Sequence, residues 1–206
     1  LLLPRADLSK HIASLEKEQQ ESLQMLKGTT LNLKTFVPLL IKHRLSPEYP
    51  TYASHRYLHE REAGREDLDL FDEENRRALN AYIDNIHTME RLTRIQTNIN
   101  LLKRHQVRFK AEGETVEVEV VGLRIGNFVL VTFPGELSVE IGLGIKQRSP
   151  HPYTFVAGVT NGYIYYTPTE AQLENRGNAQ EDSDCLVAPE WQALFEQKVG
   201  QVLERL

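Results

Sequence analysis

Apolar residues recur at three- and four-residue steps through Leu8, Ile12, Leu15, Leu23 and Leu26, with Gln19 in the one missing position and Gly28 following as a stop. That spacing predicts an amphipathic helix from Leu8 to Leu26. A second helical stretch from Leu31 to Leu45 is richer in apolar residues and carries Pro38, which should kink or divide it. Residues 46–71 hold Pro47, Pro50, three tyrosines, His55, His59 and a dense charge cluster with neither helical nor strand period, and they read as an ordered but irregular loop. Asp72 then caps a run to about Lys103, with Leu79, Ile83, Ile86, Leu92, Ile95, Ile99 and Leu102 on one stripe. At about 1.5 Å per residue such a helix is some 45 Å long, and it is expected to lie across a larger body or project from it.

After this run the period changes from 3.6 to 2. Val116, Val118 and Val120 alternate with Thr115, Glu117 and Glu119, Gly126-Asn127 is a tight-turn signal, and Phe128 to Phe133 is a compact apolar strand, so a β-hairpin is expected. The corner Pro134-Gly135-Glu136 follows, then a helix from Ser138 to Arg148 and a buried strand from Tyr153 to Thr160. Next comes an aromatic turn, Asn161-Gly162-Tyr163-Ile164-Tyr165-Tyr166-Thr167-Pro168-Thr169. Pro189 opens a closing helix whose apolar face reads as Trp191, Leu194, Phe195, Val202 and Leu206. The fold class is therefore mixed α/β (α+β): a mainly helical part over residues 1–105 packs on a small mixed sheet formed by residues 106–206.

Composition narrows the function classes. The 206 residues are 40% apolar, enough for one substantial core, and 24 Lys and Arg against 29 Asp and Glu leave a net charge of −5. No basic stripe of the kind that tracks phosphates is visible, so nucleic acid is not an expected partner. The longest apolar run is broken by Pro38 and Lys42 and falls short of the roughly 20 residues that span a bilayer, so no transmembrane segment is expected. The chain begins Leu1-Leu2-Leu3-Pro4, without an initiator Met or a basic n-region. It reads as an interior start rather than a signal peptide.

Several side chains are candidates for chemistry. Glu136 follows an apolar strand at a Phe-Pro-Gly corner, where a carboxylate stands at the rim of a sheet. On pattern alone its plainer role is a helix-start carboxylate favoured by the helix dipole. Tyr163, Tyr165 and Tyr166 read first as aromatics packed at a strand end with hydroxyls toward solvent. His55 and His59 have the four-residue spacing of a metal clasp, but no glutamate lies between them as in a His-Glu-x-x-His helix, and they read as part of a solvated loop. Cys185, the only cysteine, is flanked by acids that raise its pKa and reads as a packed small residue rather than a nucleophile.

In order and spacing, the strand Ile125 to Phe133, the corner Pro134-Gly135-Glu136-Leu137, the strand Phe155 to Thr160 and the turn Asn161 to Glu170 resemble the carboxyl-terminal part of the catalytic domain of the neutral/alkaline ceramidases. The likeness covers residues from about Val118 to Leu206, and Leu2-Leu3-Pro4-Arg5 is loosely similar to shorter bacterial members. The resemblance implies a zinc-dependent hydrolase of linear amides. Its zinc would be held by two histidines, a glutamate in a Pro-x-Glu corner and a tyrosine in an Asn-x-Tyr-x-x-Tyr turn, and the last two fall on Glu136 and Tyr166. A carboxylate and a phenol oxygen are hard donors that complete a site begun by imidazoles. The two histidines and a catalytic serine would lie in the remainder of the catalytic domain, upstream of Leu1. The family's second tyrosine, thought to hydrogen-bond the amide oxygen, is replaced here within Asn178-Ala179-Gln180-Glu181-Asp182, where Gln180 most nearly takes its place.

On this resemblance the 206 residues form the carboxyl-terminal portion of one ceramidase-like domain, inactive alone. The expected substrate is an N-acyl, lipid-like amide, and the family points to a secreted or periplasmic setting. The rival expectation is a non-catalytic helical interaction module whose long helix over residues 72–103 is the partner surface.

Overall fold

The computed structural model describes residues 1–28 and 67–206. The expected helix from Leu31 to Leu45, most of the loop over residues 46–71, and His55 and His59 lie outside the described residues. The fold is mixed α/β, as the change of period implies. It divides into two compact units, Leu1–Gln19 with Thr93–Leu206, and Gln20–Leu92.

In the first unit the amino-terminal strand β1 (Leu2–Pro4) pairs antiparallel with β2 (Thr115–Glu117), and Leu3 is fully buried. The backbone beyond β1 continues against residues 186–188, through Ala6 N–H to Leu186 O at 3.0 Å and Ala188 N–H to Pro4 O at 2.8 Å. A strand in the helical first part was not anticipated. Three residues are too few to show a period.

The hairpin is present over the Gly126-Asn127 turn, but its first arm is β3 (Gly122–Ile125) paired with β4 (Phe128–Thr132). The alternating residues 115–117 belong to β2 and pair with β1 instead. Parallel to β4 runs β6 (Tyr153–Ala157), giving the order β3-β4-β6. Parallel neighbours need a crossover, and α3 (Val139–Arg148) supplies it. Val129 and Val131 of β4 are fully buried, whereas Phe128 stacks on Phe155 at 4.9 Å on the more exposed face.

Beneath β4 lies the main core, where Ile141 and Ile145 of α3 meet the closing helix α5 (Trp191–Leu203). The buried face of α5 is Trp191, Phe195, Val199 and Leu203, one residue per turn; Leu194 is exposed. Trp191 and Phe195 are on this face as expected, Leu206 beyond the helix packs partly buried against the same core, and Val199 and Leu203 take the buried places between them. The ring of Phe133 fixes the phase, lying 5.6 Å from Trp191 and 4.2 Å from Phe195.

Helix α1 (Ser9–Gln24) presents Leu15 to Ile95, Ile99 and Leu102 of the long helix α2 (Asp67–Glu112), with Leu8 and Ile12 alongside. In the second unit Ser22 is buried and Leu23 and Leu26 are exposed, so the apolar stripe is not maintained to the end of α1. There Asn85 closes both backbone groups of Lys27, at 2.9 Å to its N–H and 2.6 Å to its carbonyl.

Asp72 is not a cap: α2 begins at Asp67 and continues past Lys103 to Glu112. No glycine or proline stands between residues 65 and 112 to stop it. It ends where Gly113, at φ +89°, donates its N–H to Phe109 O at 3.1 Å, a left-handed glycine terminus.

The phase of α5 gives a direct expectation. Phe195→Ala should lower unfolding stability by about 3–5 kcal/mol, whereas Leu194→Ala should cost less than about 1 kcal/mol. Urea unfolding of the two variants checks the assignment, and similar losses would contradict it.

Candidate functional site

After β4 the chain turns at Pro134-Gly135 and enters the two-residue strand β5 (Glu136–Leu137), which lies parallel to β7 (Tyr166–Thr167) with Glu136 opposite Tyr166. Gly135 permits this approach. A Cβ there would stand 2.7 Å from the Phe133 ring and 2.8 Å from Thr167 Cγ2.

The corner is fastened through its own carbonyls. Ile164 N–H donates to Pro134 O at 2.9 Å, Val159 N–H to Gly135 O at 3.1 Å, and Thr160 N–H to Phe133 O at 3.0 Å. Beyond β7, the Trp191 indole N–H donates to Pro168 O at 3.0 Å, tying the turn to the main core.

Glu136 and Tyr166, thirty positions apart, are thus register partners on neighbouring strands. Tyr163 joins them, its hydroxyl donating to Glu136 Oε1 at 2.5 Å. That hydrogen bond, helped by partial burial and by the negative charge of Glu136, pushes the Tyr163 phenol up to about 12. The Tyr166 phenol is also raised, first by the Glu136 charge, then by burial, a hydrogen bond to Glu136 and the charges of Glu181 and Asp184. Both phenols are neutral at physiological pH and aimed at one carboxylate.

Beside them is a cavity of about 260 Å³ walled by Glu136, Ser138, Tyr166, Gln172, Glu181 and Asp182, among others. Gln180 is exposed at the head of the short helix α4 (Gln180–Ser183), and its two successors, rather than Gln180 itself, line the cavity. Cys185 is buried; burial first, with lesser help from Asp182 and Asp184, pushes its thiol up to about 12, consistent with a packed residue.

No family model, curated protein or solved structure matches this chain.

Among the described residues no group of three or more His, Cys, Asp or Glu side chains is placed to hold a metal ion. Glu136 and Tyr166 offer two hard oxygen donors from one strand pair, and the Tyr163 hydroxyl orients the carboxylate in the manner of an outer-shell partner. This donor set fits half of a four-coordinate zinc site and requires imidazole or thiolate to complete it.

A second layer was not anticipated. Arg104 and His105 of α2 both meet Asp184, at 2.5 Å and at 2.6 Å from His105 Nε2 to Asp184 Oδ1. Tyr165 lies among Arg104, His105 and Arg108, with each guanidinium 5.1 Å from its ring centre and the imidazole edge-on at 4.7 Å. The sequence did hold a signal for His105, which falls three residues after Leu102 on the buried stripe of α2.

Burial lowers the His105 pKa, reinforced by the Arg104 and Arg108 charges and opposed by the hydrogen bond and charge of Asp184. A histidine held neutral on folding contributes stability that is complete above its unfolded value near 6.5 and is lost as pH falls through the lowered folded value. Burial lowers His11 in the same direction. The melting temperature should therefore fall as the pH is lowered from neutral through and below the ordinary histidine value of 6.5. In His105→Gln the slope should be shallower, with His11 among the groups that supply the remainder. A pH series of thermal melts on both proteins tests this, and parallel curves would remove His105 from the account.

Proposed function

We propose that Glu136 and Tyr166 are two of the ligands of a catalytic zinc in a ceramidase-like amide hydrolase acting on an N-acyl, lipid-like substrate. The observation that carries the reading is the register of β5 and β7, which sets a carboxylate and a phenol side by side where the likeness to the family requires two zinc ligands. The imidazole ligands are supplied from outside the described residues. When bound, zinc lowers the pKa of a coordinated water and polarises an amide carbonyl.

The chain's own residues have distinct parts in this proposal. Glu136 brings negative charge that offsets part of the metal's charge, and Tyr163, 2.5 Å from its Oε1, fixes the direction in which the carboxylate points. Tyr166 contributes an oxygen whose ionisation a nearby cation would favour, reversing the rise that Glu136 imposes. Glu181 and Asp182 add acidity to the adjoining cavity wall; Gln180, to which the likeness gives the amide donor for the substrate oxygen, is exposed at the head of α4 outside that wall and would serve only a substrate that extends to it. Among the described residues no helix is long and apolar enough to cross a membrane.

The test is to assay Glu136→Gln and Tyr166→Phe in the intact enzyme, with N-acyl amide hydrolysis, zinc content and melting measured on the same samples. Glu136→Gln should lower kcat/KM by about 100-fold or more and release zinc with little change in melting. Tyr166→Phe should cost about tenfold, because a neutral phenol mainly fixes geometry. Unchanged hydrolysis by Glu136→Gln, with a normal melt, would remove the zinc assignment and favour the non-catalytic interaction module.

A further inference from the structure

We infer that His105 is a positioning residue for the Glu136–Tyr166 corner, acting through Asp184 and through the ring of Tyr165. Its catalytic consequence rests on the zinc-hydrolase proposal; its geometric consequence does not. Tyr165 stands between the two tyrosines that address Glu136 and has a left-handed backbone at φ +68°, a conformation that bulky side chains rarely adopt. Two backbone links pass through this residue: its carbonyl accepts the Glu136 N–H at 2.9 Å, and it bridges to Cys185. Its neighbour Tyr166 donates its N–H to Asp184 O at 3.2 Å. The strand carrying Tyr166 is thus held between β5 on one side and residues 184–185 on the other.

His105 touches both controls on that strand. Its Nε2 is 2.6 Å from Asp184 Oδ1, and its ring makes a T-shaped contact with that of Tyr165, which in turn packs 5.2 Å from that of Tyr163. A carboxylate only accepts hydrogen bonds, so the neutral imidazole carries its proton on Nε2. Nδ1 is then a bare acceptor, and it is buried with no hydrogen-bond partner. A leucine would avoid that unpaired nitrogen but would leave the Asp184 side chain with Arg104 as its donor and remove the ring contact with Tyr165. The unpaired nitrogen accompanies two contacts that an apolar residue cannot make together. Arg104 and Arg108, each 5.1 Å from the Tyr165 ring centre, complete the clamp.

The test compares His105→Leu with His105→Gln, whose amide N–H can still reach Asp184. In the 206-residue chain, ring resonances of Tyr163 and Tyr166 are followed by NMR, with Tyr163→Phe and Tyr166→Phe as assignment standards. In the intact enzyme, zinc content, kcat and KM are measured. His105→Leu should move both tyrosine resonances and lower kcat by about tenfold or more, with zinc retained and KM little changed. His105→Gln should return both readouts toward wild type. Unmoved resonances in a folded His105→Leu, or equal effects of Leu and Gln, would overturn the inference. If His105→Leu does not fold, His105→Phe, which keeps a ring against Tyr165 but offers Asp184 no donor, carries the same comparison: movement of the Tyr163 and Tyr166 resonances supports the positioning role, and stillness overturns it. Moved resonances in a protein whose wild type holds no zinc and hydrolyses no amide would sink the zinc proposal and leave the positioning role standing.

Discussion

At Gly135 a side chain would collide with Phe133 on one side and Thr167 on the other, at 2.7 Å and 2.8 Å, so the two-residue strands β5 and β7 pair only because that position has none. Phe133 is itself locked into the main core between Trp191 and Phe195. The chain therefore passes within three residues from the centre of the core to a carboxylate at its rim, with no flexible step between. Everything at the candidate site depends on this transition: the register that sets Glu136 against Tyr166, the carbonyls that hold the returning turn, and the reach of Tyr163 to Glu136.

Among the described residues the rim gathers four acids around two arginines, Arg104 and Arg108. Glu136, Glu181, Asp182 and Asp184 converge on it, Asp182 is raised first by burial and then by Glu181, and Arg104 is the cation paired with Asp184. Neutral phenols are compatible with such a place because they donate to carboxylates without adding charge. The arrangement supplies its own hydrogen-bond donors to Glu136 while leaving a surplus of negative charge.

What could be read from the sequence follows from how local the determinant is. Gly126-Asn127 marked the hairpin turn because φ at Gly126, +61°, is a property of that turn alone. Trp191 and Phe195 marked the closing helix through its own period, yet its later face shifted to Val199 and Leu203 because the phase is set by Phe133, far away in the chain. The start of α2 was misplaced because Asp72 has the chemistry of a cap, while a cap is defined by a break in backbone geometry that the acidic run does not contain. β1 and β2 form a pair about 110 residues apart, and neither strand is long enough to announce itself. At the site, Glu136 and Tyr166 were singled out by the resemblance of the corner and the turn to the family, and what the structure adds is their register on neighbouring strands. Arg104, His105 and Asp184 were not singled out, because their meeting depends on where α2 passes the turn.

That long-range meeting explains how unfavourable local features coexist at one end of a well-packed unit. Val159, Asn161 and Tyr165 all take positive φ within seven residues, and Thr167 Oγ1 and His105 Nδ1 are buried without partners. Each such feature costs on the order of 1–3 kcal/mol, so the turn would relax if its own contacts were all that held it. Its restraints are instead anchored elsewhere: Pro168 on the Trp191 indole, Tyr165 on α2, and the corner carbonyls on the chain that leaves β4. Because those anchors belong to the core and to a helix rather than to the turn, loosening any one of them should release strain as movement of Tyr163 and Tyr166 before the fold itself is lost. Stability of the unit and geometry of the site are thus separable, and a residue such as His105 can alter the second while the first persists.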